Sequence, residues 1–124
     1  MARILSHTQA LDKAMTLIAG SFAPAGAGAP TNQNGTGFAV TRTGAGTFQV
    51  KFTDAWPKVI SARAHIQLNA ADKLAAQVGA IDLVAKTMVV RVVDSSTGAA
   101  TDVAANANNR VNFEVWFKNS AVSP

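Results

Sequence analysis

Gly37-Phe-Ala-Val-Thr-Arg-Thr-Gly-Ala-Gly-Thr-Phe-Gln-Val-Lys-Phe-Thr53 alternates apolar and polar residues on both sides of a Gly-Ala-Gly break. Phe38 and Val40 share one face before the break. Phe48, Val50 and Phe52 share one after it, with Gln49, Lys51 and Thr53 opposite. Successive side chains of a strand point to opposite faces, so this stretch predicts a β-hairpin with one apolar and one wet face. Gly44 and Gly46 bring the positive-φ freedom that a tight reversal needs.

The same alternation recurs outward from the hairpin. Val111, Phe113, Val115 and Phe117 form one face of a last strand, opposed by Asn112, Glu114, Trp116 and Lys118. Lys58 to Asn69 predicts a long strand with Ile60, Ala62, Ala64, Ile66 and Leu68 on one face and Val59, Arg63, His65 and Gln67 on the other. Ala75 to Ile81 is a weaker strand interrupted by Gly79, Asp82 to Ala85 reverses the chain, and Lys86 to Asp94 is apolar on both faces, which predicts a central strand. Met15 to Ala23 predicts a further strand, with Met15, Leu17 and Ala19 on one parity; a helix continued to about Ile18 is its competitor. Before it, Ser6 followed by Gln9 has the form of a capping box, so Ser6 to Ala14 predicts a short helix or arm. Pro24 to Gly35 and Ser95 to Asn109 are rich in Pro, Gly, Ala, Asn and Ser and predict two long loops.

About seven short strands in one domain over 15–124, after an N-terminal arm or short helix over 1–14, predict an all-β antiparallel β-sandwich or jelly roll. A small closed β-barrel is the alternative. At 124 residues the chain is long enough for one modest core. Only 15% of residues are charged, against about 25% in ordinary soluble domains. Such a surface fits a protein whose faces are covered by partners or by copies of itself, although an alanine-rich source gives the same composition.

Composition narrows the chemistry. The absence of cysteine excludes disulfides and thiolate chemistry. The net charge of +4 comes from basic residues spread singly, without the basic stripe or the tyrosines of a nucleic-acid surface. No stretch reaches the roughly 18 apolar residues of a membrane helix. The N-terminus lacks a secretory signal, predicting a protein made and used without that route. His7 and His65 have no ligand-spaced neighbours, Ser6–His7 adjacency makes no catalytic pair, and most aspartates sit beside turn residues, where the side chain bonds local backbone. Gly26-Ala-Gly28 and Gly44-Ala-Gly46 lack the strand-loop-helix setting of a phosphate cradle and read as turns. The expectation is a protein without catalytic residues, cofactor or metal. Trp116 has the parity opposite to the phenylalanines of the last strand, which makes it a candidate outward contact anchor; ordinary packing under a covered second face, for instance by the N-terminal segment, is the alternative. Trp56, before Pro57, is read as a cap on the open end of the sandwich and as a second contact candidate. Pro24 and Pro30 in the first long loop, and Asn106, Asn108 and Asn109 in the second, complete the candidate interface.

Three phrases carry a resemblance: Gly-Phe-Ala-Val-Thr-Arg-Thr-Gly-Ala-Gly-Thr-Phe (37–48), Leu-Asn-Ala-Ala-Asp (68–72) and Asp-Val-Ala-Ala-Asn-Ala-Asn-Asn-Arg-Val-Asn-Phe (102–113). From about Met15 to its end, the chain resembles the head decoration, stabilisation or cement proteins of tailed bacteriophages. The resemblance implies a β-sandwich or jelly-roll body on the outer surface of a virion capsid, assembled in the host cytoplasm. Its implied partners are the major capsid protein and further copies of itself in a dimer or trimer, with no nucleic acid and no membrane. It transfers no active-site residues. Phage tail-fibre and receptor-binding modules use similar phrases and are the alternative.

Overall fold

The computed structural model describes residues 15–118, which form eight β-strands and no helix. The expected N-terminal helix, and the end of the chain from 119, lie outside the described residues. The strands are β1 (Met15–Ala25), β2 (Gly28–Asn34), β3 (Phe38–Gly44), β4 (Thr47–Phe52), β5 (Lys58–Gln67), β6 (Leu74–Asp82), β7 (Thr87–Asp94) and β8 (Arg110–Lys118). They make two four-stranded antiparallel sheets, ordered β2-β1-β8-β5 and β3-β4-β7-β6. The sheets share no ladder, so the architecture is a sandwich and not the alternative barrel.

The expected hairpin forms at 37–53, with Phe38 opposite Phe52, Val40 opposite Val50 and Arg42 opposite Phe48, and a register shift between Arg42 and Gly44 beside the turn. At its turn only Gly46 takes a positive φ, +57°; Gly44 does not. β7 is flanked by β4 and β6, as its two apolar faces predict, and β8 is flanked by β1 and β5.

The core lies between the sheets. Phe22, Val50, Met88, Val90, Val92, Val111, Val115 and Phe117 are fully buried there. Four aromatic contacts knit it: Phe22 with Phe48 at 4.7 Å, Phe38 with Phe113 at 4.8 Å, Phe52 with Phe117 at 5.0 Å, and Trp56 stacked on Phe117 at 5.2 Å. Tilted and edge-on geometries of this kind suit the ring quadrupoles and add to plain burial. Gly20 is what lets Phe38 in. A Cβ there would lie 2.1 Å from the Phe38 ring, so the ring occupies the hollow a side chain would fill.

Two features differ from the sequence reading. Pro24 to Gly35 is not a loop: it holds the end of β1, a turn at Gly26 and Ala27, and all of β2. β2 is an edge strand whose residues are exposed apart from the half-buried Pro30, so it shows no apolar alternation. Register shifts in its pairing with β1 accommodate Pro30, whose missing amide costs least on an edge. The Gln33 amide closes this side of the sandwich, donating to the Phe38 carbonyl (2.8 Å) and accepting from the Val40 amide (3.2 Å).

The second difference is in β5. Val59 pairs with Phe117 and Ser61 with Trp116, so Ile60 is the extra residue of a β-bulge. Val59 packs on the core and Ile60 does not, the reverse of what strict alternation assigns. A second bulge, at Gly79 and Ala80, interrupts β6 where the sequence shows its glycine.

Ser95 to Asn109 is a loop, as expected, and it is tied to the body of the sandwich. Val103 is buried in the core. The Thr101 amide donates to the Val92 carbonyl at 2.9 Å, and the Gly26 amide to the Val103 carbonyl at 2.7 Å. Asp102 anchors the loop to the β3–β4 hairpin, its carboxylate receiving Arg42 Nη2 at 2.9 Å and the Gly46 amide at 2.8 Å. The Arg42 hydrogen bond, then that of Gly46, holds the Asp102 carboxyl below the usual carboxylate range. Asp94 is lowered as well, chiefly by the hydroxyl and amide of Ser96.

The sign of the resulting pH dependence follows from these two depressed carboxyls. Their contribution to stability is full above the unfolded carboxylate range and is lost as pH falls through the folded values. The thermal midpoint is therefore expected to hold down to about pH 5 and to decline below about pH 4. Asp102→Asn should have a lower midpoint than the parent at neutral pH, with the gap closing as pH falls. A gap that stays constant across a calorimetric pH series would contradict this account.

Candidate functional site

Strand alternation gives the β2-β1-β8-β5 sheet an inner and an outer face. On β8 the buried Val111, Phe113, Val115 and Phe117 point inward, which turns Arg110, Asn112, Glu114, Trp116 and Lys118 outward. Trp116 is 39% exposed and stands opposite Leu17 of β1, itself 42% exposed. On its other side Trp116 faces Ser61, next to the bulged Ile60, which is 48% exposed. Three large apolar residues from three neighbouring strands thus share one solvent-facing area. Strand neighbours lie about 4.8 Å apart, so the three form a contiguous patch. Apart from Val84 at the tip of the β6–β7 turn, these are the described large hydrophobics left well exposed.

The polar groups around the patch are held in place. Arg63 forms an ion pair with Glu114 across the β5–β8 ladder. Arg110 Nη2 donates to Ser21 Oγ at 2.8 Å and to the Asn32 carbonyl at 2.6 Å, tying β8 to β1 and β2. Lys58 and Lys118 are register partners at the end of the sheet nearest Trp116.

The seven residues singled out in the sequence do not converge. Trp116 is outward, as its parity predicts. Trp56 lies near the same end but packs on the core over Phe117, capping the sandwich as read. Its Nε1 is buried without a hydrogen-bond partner. Pro24 is fully buried and Pro30 lies in the edge strand β2. Asn106, Asn108 and Asn109 sit at the opposite end of the sandwich and stitch two loops together. Buried Asn109 accepts from the Asn69 amide (2.7 Å) and donates to the Ala104 carbonyl (3.0 Å). Asn108 donates to the Asn69 side chain (2.9 Å), and its amide bonds the Asn106 side chain (2.9 Å). Leu17 and Ile60 were missed as partners of Trp116. The parity of Leu17 was visible, but its place beside Trp116 depends on a register the sequence does not give.

The same end carries a depression of about 410 Å³ between the β5–β6 and β7–β8 loops, lined by Leu68, Asn69, Asp72, Asp94, Asp102 and Asn109 among others. Its carboxylates are engaged: Asp72 by the Lys73 amide, Asp94 by Ser96, Asp102 by Arg42. Among the described residues no three His, Cys, Asp or Glu are grouped as a metal site would need. His65 is exposed on β5, opposite Asn112.

Fold and surface together define an antiparallel β-sandwich that presents an exposed apolar patch on one sheet. The chain matches no family model, no curated protein and no solved structure.

Proposed function

We propose that this protein is a structural virion component that binds the outer surface of a phage capsid and stabilises the shell by bridging major capsid subunits. The observation that carries the reading is the patch of Leu17, Ile60 and Trp116 on one sheet face, where the other described large apolar side chains, Val84 apart, are buried or half-buried. Exposed patches of this kind mark interaction sites. The resemblance of the turn-and-strand phrases to head decoration proteins supplies the partner. A clamp of this type stabilises by mass action, because it binds the assembled arrangement and not the free subunit. Many copies on a symmetric shell add modest contacts into a large effect, and a dimer or trimer of the protein would sit on a local symmetry axis.

The test is sedimentation of heads that lack the protein after mixing with it, with bound copies counted. Saturable, stoichiometric binding that raises the melting temperature of the heads is the expected result. Trp116→Ala should weaken that binding by about thirtyfold, the roughly 2 kcal/mol of an aromatic anchor, with the domain's own thermal midpoint little changed. Binding to tails or to host cells, with heads left bare, would move the assignment to a tail-fibre or receptor-binding module.

A further inference from the structure

We infer that the outer face of the β2-β1-β8-β5 sheet docks on an acidic protein surface with an apolar centre. The inference rests on the shell-binding reading for the partner's identity, the capsid subunit, and adds the chemistry of the contact.

Charge is distributed unevenly over the molecule. The four strands of this sheet carry Lys58, Arg63, Arg110 and Lys118 against Glu114 alone, a net +3 of the chain's +4. Asp54, Asp72, Asp82, Asp94 and Asp102 all lie in loops or in the other sheet. The cations border the patch: Lys58 and Lys118 face each other beside Trp116, and Arg63 and Arg110 lie further along the same face. A net positive face of this kind favours approach of an acidic protein surface. Leu17, Ile60 and Trp116 would meanwhile be covered by the partner's apolar centre, giving the dry core and polar rim of a specific protein interface.

Charge disfavours the other occupants. A second copy docked on this face by two-fold symmetry would set its cations against their like. Residues 1–14 contain Arg3 and Lys13 against Asp12, so they carry the sign of the face they would cover. Nucleic acid is held by rows of cations free to reach phosphates. Here both guanidinium groups are engaged within the sheet, and the centre of the face is the apolar patch of Leu17, Ile60 and Trp116.

Association with heads lacking the protein tests this, comparing Lys58→Glu with Lys51→Glu, the same charge change on exposed Lys51 of the opposite sheet. Circular dichroism checks that both variants fold. Lys58→Glu is expected to slow association about tenfold and to flatten its salt dependence, with Lys51→Glu close to the parent. Heads bound equally well by all three proteins would overturn the acidic contact and leave the shell reading standing. Failure of the parent to bind heads would remove the shell reading and the inference with it. Three further results would each hand the face to another occupant and overturn the proposal. They are duplex DNA binding lost in Lys58→Glu, a dimer split by Leu17→Lys, and a Trp116 shielded from acrylamide in free Trp56→Phe protein.

Discussion

Gly46→Ala is expected to lower the stability of the domain by about 3 kcal/mol or more, read from urea or thermal unfolding. Two costs combine. Gly46 sits at φ +57°, where a Cβ costs about 1–2 kcal/mol. That Cβ would also lie 2.5 Å from both the amide nitrogen and the carbonyl oxygen of Thr101 and 2.7 Å from the Val92 carbonyl oxygen. All three are backbone atoms, so no rotamer change removes the clash. The hairpin must move away from both the Ser95–Asn109 loop and β7 instead. Separation would break the bonds that converge here, from the Gly46 amide to Asp102 and from the Val92 amide to the Gly46 carbonyl. Gly98→Ala is the matched control: its φ is +75° and nothing lies within 4 Å of a Cβ, so only the backbone cost of about 1 kcal/mol applies. Equal losses in the two variants would mean that the loop yields freely and that the close approach carries no stability.

The fold was legible wherever one face of a strand is buried and its register is unbroken. β8 along β1 satisfies both conditions, and so does the 37–53 hairpin up to the register shift after Arg42, because burial selects apolar residues at every second position. β2 fails the first. Exposed along nearly all its length, it leaves no period in Gly-Ala-Pro-Thr-Asn-Gln-Asn, whose composition is that of a turn. β5 fails the second: one extra residue reverses parity before Ser61, so Val59 goes inward and Ile60 outward although both are equally apolar. The bulge that defeats the alternation rule is also what places Ile60 beside the patch.

The candidate surface was legible only at Trp116, through its parity against four inward residues. Its neighbours come from strands far apart in sequence, and pairing register is a tertiary property. The asparagines of the second long loop illustrate the opposite limit. Polar, turn-forming residues suit an outward contact and an inward staple equally well, and burial decides between the two roles. Asn109 is 8% exposed and spans two loops, which makes it a staple.

Phe117→Ala is expected to cost about 3–5 kcal/mol, the largest loss among single core truncations at this end of the sandwich. Phe117 is fully buried, meets Phe52 edge-on at 5.0 Å and supports the stacked Trp56 at 5.2 Å. Removing the ring leaves a cavity under Trp56 that neither neighbouring strand can fill, since Val59 opposite is already packed. Phe117→Leu keeps most of the volume and should cost distinctly less, about 1–2 kcal/mol, with loss of the aromatic pairs as its main component. The two variants also separate core from surface. Phe117 and Trp116 are adjacent in sequence but point to opposite faces, so Phe117→Leu should weaken the fold with little change in the proposed shell binding. Trp116→Ala should do the reverse. Tryptophan emission would shift in Phe117→Ala through Trp56, and that shift in a folded Trp116→Phe background identifies its source. If Phe117→Leu abolished shell binding at a temperature where it stays folded, the contact would have to include the Trp56 end of the sandwich as well as the sheet face.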